Sequence, residues 1–183
     1  PRLKPATLDD LAVAVSLIRP GPIQGDMVHP YLRRRTGEEP VRYLHSVLEP
    51  ALRDSLGVLL FQEQVLLVAQ AAAGWPLGRG ELLRRALIKG DAGAVAALRD
   101  SFLAAAIQRG IDPITAEAIF TQLAGFAGYA FPRSHAAAFA TVVYQHAWLK
   151  RYAPGPFFVS LLNHQPMGFW SPAVLVGDAK RHG

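Results

Sequence analysis

The sequence predicts a mainly α fold, a compact multi-helix unit with at most short strands. Three observations carry that expectation. Helix punctuation recurs along the chain, with Asp, Ser or Thr before an apolar-periodic run and Gly or Pro after it. Only one run, Val58-Leu59-Leu60-Phe61, reads as a small strand. The chain is 51% hydrophobic and 18% charged, against about 25% charged in an average domain, so it has the material for a core. At roughly 100–200 residues per domain, residues 1–183 make one unit or one piece of a larger one.

Each element follows from its own punctuation. Thr7, with Asp10 three residues on, reads as a capping-box start. The helix behind it would turn Leu8, Leu11, Ala12, Val15 and Ile18 inward and end at Pro20. The Pro- and Gly-rich stretch from Arg19-Pro20-Gly21-Pro22 to Pro30 reads as a non-helical loop. Arg33-Arg34-Arg35 follows, then a loop from Thr36 to Tyr43. Ser46 can cap a short helix ending at Gly57. Gln62 to Ala73 reads as a helix stopped by Gly74, and Gly80 to Ile88 as one stopped by Gly90. Asp91 caps a long helix to Arg109, and Asp112 before Pro113 opens another to about Phe126. Ser134 opens a helix over Ala136 to Tyr152, ended by Pro154 and apolar nearly all round, hence expected to be buried. A helix after Pro156 to Leu162 and one from Ser171-Pro172 to Arg181 complete the chain.

Composition excludes several kinds of chemistry. There is no Cys, so no disulfide, thiolate metal site or Cys nucleophile. The longest apolar run, Ala136 to Tyr144, is far below the roughly 20 residues of a membrane span, so no membrane partner is expected. No Asp-x-Asp, Asp-x-Glu or Glu-x-Glu offers the paired carboxylates of two-metal phosphoryl transfer. Asp9-Asp10 and Glu38-Glu39 are adjacent pairs that point in different directions and read as solvated. The six histidines are scattered, and no metal site is expected. The net charge is +5, and 15 of the 19 cations are Arg, the better fork for phosphate, although codon usage also produces such a bias. The opening Pro1-Arg2-Leu3-Lys4-Pro5, without an initiator Met or a signal peptide, gives the expectation of a segment cut from a longer protein.

Four motifs could carry binding chemistry. In Gly80-Glu81-Leu82-Leu83-Arg84-Arg85-Ala86-Leu87-Ile88-Lys89-Gly90, Arg85 and Lys89 share a helix face, with Arg84 about 100° round. The set suits a triphosphate; equally, it suits a solvated face with Glu81 pairing to Arg84 or Arg85. In Phe126-Ala127-Gly128-Tyr129-Ala130-Phe131-Pro132-Arg133-Ser134-His135, small residues lead into a helix N-terminus that favours an anion. Arg133, Ser134 and His135 add a charge and two hydrogen bonders, or Ser134 is an ordinary cap. Arg33-Arg34-Arg35 with Arg42, near Tyr31 and Tyr43, suits a nucleic-acid backbone or a solubilising run. In Phe61-Gln62-Glu63-Gln64 a carboxylate between two amides either caps its helix or orients an Arg.

Taken in order, these segments resemble the α subunit of bacterial DNA polymerase III, the C-family replicative polymerases. The resemblance runs through Arg2-Leu3-Lys4-Pro5, Arg19-Pro20-Gly21-Pro22, Gly57 to Gln64, Leu83-Arg84-Arg85-Ala86, and Phe126 to Ala138. The tail, Asn163-His164-Gln165-Pro166-Met167-Gly168-Phe169-Trp170-Ser171-Pro172 with Asp178 to Gly183, resembles the error-prone second form of that subunit. The sequence departs from the family after Arg85, where a Gly-Lys-Lys-like segment is usual and Leu87-Ile88-Lys89-Gly90-Asp91 stands. Ala130 stands where Gly is usual, and Arg133 where Lys or Glu is frequent.

The resemblance implies a fingers region over 1–183, with palm, thumb and C-terminal parts absent. It implies DNA-directed DNA polymerase activity in an intact translesion enzyme that serves DNA replication, repair and the response to DNA damage. By position it assigns Arg84, Arg85 and Lys89 to the dNTP triphosphate, and Ser134, His135 and Arg133 to the nascent base pair. Arg33, Arg34 and Arg35 are expected on the DNA backbone. The Mg2+ ions would be bound mainly by aspartates of the missing palm, so this segment alone is expected to be inactive. Implied partners are primer–template DNA, dNTP and, through absent regions, a sliding clamp and other polymerase subunits, in a bacterial cytoplasm near the nucleoid. The rivals are the fingers of the ordinary replicative α subunit and a non-catalytic helical nucleic-acid-binding module.

Overall fold

Left-handed glycines end the central helices where the sequence marks them. In the computed structural model, which describes residues 3–18, 28–126 and 131–182, Gly74 and Gly90 each take φ of +67° immediately after a helix. Among the described residues the ten α-helices are α1 (Leu8–Leu17), α2 (Val28–Arg35), α3 (Glu49–Leu52), α4 (Gln62–Ala73), α5 (Leu77–Lys89), α6 (Ala92–Gln108), α7 (Pro113–Phe126), α8 (Arg133–Tyr152), α9 (Pro154–Asn163) and α10 (Pro172–His182). Short 3-10 turns, Ser46–Leu48 and Arg53–Ser55, flank α3. The Thr7–Asp10 capping box forms in both directions. Asp91 and Asp112 cap α6 and α7 by accepting from Ala94 N (3.0 Å) and Thr115 N (2.9 Å).

Several boundaries differ from expectation, each for a local reason. Pro30 lies inside α2, in the first turn, where a missing N–H leaves no intrahelical bond unmade. Helix α5 begins at Leu77, three residues early, and includes Gly80. A Cβ on Gly80 would lie 3.0 Å from Leu66 Cα, so glycine there lets α5 settle onto α4. His45, not Ser46, caps the first 3-10 turn, its ring nitrogen accepting from Val47 N at 3.3 Å. Pro132 occupies the cap position of α8, and Ser134 caps nothing. Pro154 opens α9 as well as closing α8. Arg19-Pro20-Gly21-Pro22 and Ala127-Gly128-Tyr129-Ala130 lie outside the described residues.

Two apolar clusters meet at the extended segment 58–61. One gathers α4, α5, α6 and α7 around Val68, Leu83, Phe102, Ile119 and Leu123. The other joins α1, Tyr31 and the start of α8. Alternation along an extended chain sends Leu59 into the first and Val58 and Leu60 into the second. The expected strand is therefore a buried extended run with one isolated parallel bridge, Phe61 to Phe131.

Helix α1 buries Ala12, Val13, Ser16 and Leu17 and leaves Leu8 and Ile18 exposed, a face rotated from the expected one. Small residues explain the rotation. Ala12 and Ser16 allow close approach to Ala136 and Ala140 of α8. The Ser16 hydroxyl donates to Ala12 O at 2.8 Å, so its burial leaves no orphaned group. Helix α8 itself is not buried. Only Ala136 and Ala140 are covered, while Phe139, Val142, Val143, Tyr144, Trp148, Leu149 and Tyr152 are exposed. At about 1.5 Å per residue, α8 is far longer than the partner it packs on.

The acidic pairs are only half solvated. Asp10 accepts from Arg35 Nη1 at 2.7 Å and from two backbone N–H groups, which hold its carboxyl far below the usual carboxylate range. Glu39 accepts from Arg33 Nε (3.0 Å) and Arg34 Nε (3.2 Å). Asp9 stays largely exposed.

Candidate functional site

The Phe61-Gln62-Glu63-Gln64 motif sits where α4, α5 and α8 converge, and each polar residue in it does a different job. Gln64 is buried. Its Oε1 accepts from Leu60 N (2.8 Å) and Phe61 N (3.0 Å), and its Nε2 donates to Ala51 O (3.2 Å) and Ser55 Oγ (2.7 Å). This ties segment 58–61 to the turns before it. Gln62 Oε1 accepts from Arg84 Nη1 at 3.2 Å. Gln62 N donates to Phe131 O at 3.0 Å, which brings the chain entering α8 alongside. The Glu63 carboxylate accepts from Arg133 N at 3.1 and 3.2 Å, so it caps α8 from outside the helix. An acidic group at a helix N-terminus also meets the positive end of the dipole. The carboxylate itself thus neither caps its own helix nor bonds an Arg side chain; Gln64 bonds the N–H groups before α4 and Gln62 bonds Arg84.

On α5, Glu81 gathers the two arginines. It accepts from Arg84 Nε and Nη2, both 2.7 Å, and from Arg85 Nε at 2.8 Å. The Arg84 bonds, then those of Arg85, lower the Glu81 carboxyl to about 2. Arg84 is clamped, with 20% of its side chain exposed, and its guanidinium is stabilised further by the charge of Glu63. Arg85 differs. It is 65% exposed, and its two Nη groups carry no hydrogen bond or ion pair among the described residues. Lys89 is exposed one turn on from Arg85.

At the head of α8, Arg133 reaches Asp54 Oδ2 (3.0 Å) and Asp9 Oδ1 (3.7 Å) and lies 5.6 Å from the Phe61 ring centroid. Ser134 and His135 are exposed. The His135 ring stands edge-on between Phe131 (5.2 Å) and Phe139 (4.6 Å). With Arg133 N taken by Glu63, helix geometry leaves the N–H groups of Ser134 and His135 without intrahelical acceptors.

Gln62 and Glu63 thus link Arg84 of α5 to Phe131 O and Arg133 N at the head of α8, while Arg85 and Lys89 follow along α5 and Ser134 and His135 along α8. The structure places Arg33, Arg34 and Arg35 elsewhere. Arg35 holds Asp10 and Leu3 O (2.7 Å), and Arg34 holds Glu39 and Leu56 O (2.8 Å). Arg33, on Glu39, is the most exposed of the three. Asp54, on Arg133, is a neighbour that the sequence did not single out, and the partners of Gln62 and Glu63 were not assigned from spacing. Among the described residues no three His, Asp or Glu cluster as metal ligands. The two carboxylates at the site, Glu63 and Glu81, have their oxygens on backbone N–H and guanidinium donors, so they do not fit a divalent metal. No described helix is long and apolar enough to cross a membrane.

The chain is similar to known proteins. The family described as bacterial DNA polymerase III alpha subunit finger domain matches residues 1–110. A protein named error-prone DNA polymerase from Anaeromyxobacter dehalogenans (strain 2CP-C) is 54% identical over the whole chain, which covers 16% of that relative. Proteins of the same name from Vibrio parahaemolyticus serotype O3:K6 and Teredinibacter turnerae are 50% and 47% identical over the whole chain, which covers 18% of each. The chain thus spans about a sixth of the length of these relatives.

Proposed function

The chain belongs to the bacterial DNA polymerase III alpha subunit finger-domain family, and on that footing we propose that it binds the triphosphate of an incoming dNTP and faces the nascent base pair in an error-prone DNA polymerase. The observation that carries this reading is the joint at Gln62–Glu63. It links Arg84 of α5 to the N-terminus of α8, which supports reading the open cations of α5 and the N–H donors of α8 as parts of one site.

Arg85 is the primary phosphate contact. Its Nη edge is free for bidentate bonding to phosphate oxygens, and Lys89 adds a point charge on the same face. Arg84 positions. Its Nε–Nη2 edge is held by Glu81, which also fixes the Arg85 stem. The Ser134 hydroxyl and the N–H groups of Ser134 and His135 face the base pair, and the edge-on contacts of His135 with Phe131 and Phe139 limit its ring motion. Arg33 is the member of the α2 cluster open to a DNA phosphate.

We propose the rest from the family resemblance. The intact protein uses primer–template DNA and Mg2+, the latter held outside this chain, and acts in translesion synthesis with a clamp and other subunits in the cytoplasm. The 183-residue chain by itself does not extend a primer. The two apolar clusters share segment 58–61, which supports reading residues 1–183 as a single unit.

The test is steady-state incorporation by the intact polymerase carrying Arg85→Ala. A charge-assisted contact is worth about 1.5–3 kcal/mol, so kcat/KM falls about 10- to 100-fold. The loss is equal for all four dNTPs, because the triphosphate is common to them. A base-selective loss, or lowered thermal stability with unchanged kinetics, refutes the assignment.

A further inference from the structure

Three consecutive residues after α3 each bond a different helix. The Asp54 carboxylate accepts from Arg133 Nη1 at 3.0 Å, which reaches the head of α8. Ser55 is fully buried, and its Oγ accepts from Gln64 Nε2 of α4 at 2.7 Å. Leu56 O accepts from Arg34 Nη1 of α2 at 2.8 Å. The turn presenting these groups is closed by Leu56 N on Arg53 O (3.0 Å) and Gly57 N on Leu52 O (2.9 Å). Leu56 takes φ of +53° and Gly57 φ of +79°. A leucine in the left-handed region is strained, so the surroundings must hold it there.

Arg34 is the group that holds it. A Cβ on Gly57 would stand 2.6 Å from Arg42 O and 2.9 Å from Arg34 Nη1, so the guanidinium packs against the turn. The Arg34 side chain is 14% exposed, against 48% for Arg33. Its Nε serves Glu39 at 3.2 Å while its Nη1 serves Leu56 O. One planar fork thus bridges the loop after α2 and the left-handed turn, which the single ammonium of a Lys cannot reproduce. These contacts are internal to the chain and do not depend on what covers its surface.

We infer that Arg34 is a positioning residue: by holding turn 53–57 it sets where the head of α8 stands, and it makes no DNA contact. The inference rests on the reading of Ser134 and His135 as facing the nascent base pair. Two routes lead from the turn to α8. The first, Asp54 to Arg133, is an ion pair exposed at both partners, and such pairs are weak. The second is buried and dominates. Ser55 meets Gln64, whose Oε1 accepts from Phe61 N at 3.0 Å, and Phe61 is bridged to Phe131, just before α8. Buried hydrogen bonds in series reinforce one another, and a broken one leaves its groups without water to replace it. Arg85 is held by Glu81 on α5 itself, off both routes, so the triphosphate grip does not follow Arg34.

Single-turnover incorporation by the intact polymerase carrying Arg34→Lys, with hydrogen exchange of the same protein, tests this. A misplacement of about 1 Å costs about 100-fold in rate, so the partial release expected here costs about tenfold at saturating dNTP. The apparent dNTP Kd stays within about twofold, because Arg85 is undisturbed. Exchange accelerates in peptides covering residues 53–57 and 131–135. Arg34→Ala loses rate in the same way and keeps the wild-type salt dependence of primer–template affinity. Unchanged circular dichroism shows that both variants fold. Full activity in Arg34→Lys overturns the inference. So does a dependence of log affinity on log salt flattened by about 0.9 in Arg34→Ala, the mark of one lost duplex phosphate contact. A lowered Tm with an unchanged rate makes Arg34 structural only and overturns it as well. Unchanged exchange at 131–135 breaks the link to α8 whatever the rate. Faster exchange there with an unchanged rate places the failure in the reading of the head of α8, and removes Arg34 from incorporation with it.

Discussion

Replacing Gln64 with Leu removes one side chain and releases four polar groups at once. Gln64 is 5% exposed. Its Oε1 is the acceptor for the N–H groups of Leu60 and Phe61, both in buried residues, and its Nε2 serves Ala51 O and Ser55 Oγ. Ser55 Oγ keeps its bond to Leu52 O, so the main cost falls on the two N–H groups. Each orphaned buried donor costs about 1–3 kcal/mol, and burying the apolar Leu returns about 1 kcal/mol. A net loss of about 2–4 kcal/mol is expected, a large part of the roughly 5–15 kcal/mol that holds a domain together. For a chain of this size each kcal/mol shifts Tm by about 2–4 °C, so the midpoint falls by about 5–15 °C. Urea unfolding followed by circular dichroism measures the free energy directly, with Ser55→Ala as the milder comparison. A loss below about 0.5 kcal/mol in Gln64→Leu refutes the reasoning, because two unpaired buried N–H groups cannot be that cheap.

Two further outcomes follow from the same site. The folded carboxyl of Glu81 lies at about 2, below its ordinary 4.5, so its contribution is present above about pH 4.5 and is lost as pH falls toward 2. Wild type should therefore lose stability over that window more steeply than Glu81→Gln, and parallel acid-unfolding curves contradict this. Ser134 makes no cap bond, so Ser134→Ala should change thermal stability by under about 0.5 kcal/mol while lowering kcat/KM in the intact polymerase. A stability loss of the roughly 1 kcal/mol typical of a removed cap counts against that placement.

Helix ends marked by a backbone requirement were legible in the sequence. Gly74 and Gly90 sit in the left-handed region, and Asp91 and Asp112 accept the first-turn N–H groups. Features set by a distant neighbour were not. Nothing local says that α1 turns Ser16 inward, because that choice depends on Ala136 and Ala140 of α8. Pro132 takes the cap position of α8 because Glu63, seventy residues away, supplies the acceptor that Ser134 was expected to provide. Apolar composition predicted a buried α8, yet it only measures how much surface favours burial and cannot say whether a partner is present. The Arg84–Arg85 pair was visible as a charge cluster. Its division into a clamped Arg84 and an open Arg85 needed the positions of Glu81 and Gln62.

The central claim is that α5 and the head of α8 form one anion site. Titrating the 15N-labelled 183-residue chain with a deoxynucleoside triphosphate and reading amide and arginine Nε shifts tests that claim most directly. The account predicts that Arg85 Nε and the backbone amides of Ser134 and His135 shift together along one saturating curve, and that Arg85→Ala removes all three responses. Shifts confined to Arg85, or separate curves for Arg85 and for Ser134–His135, contradict it.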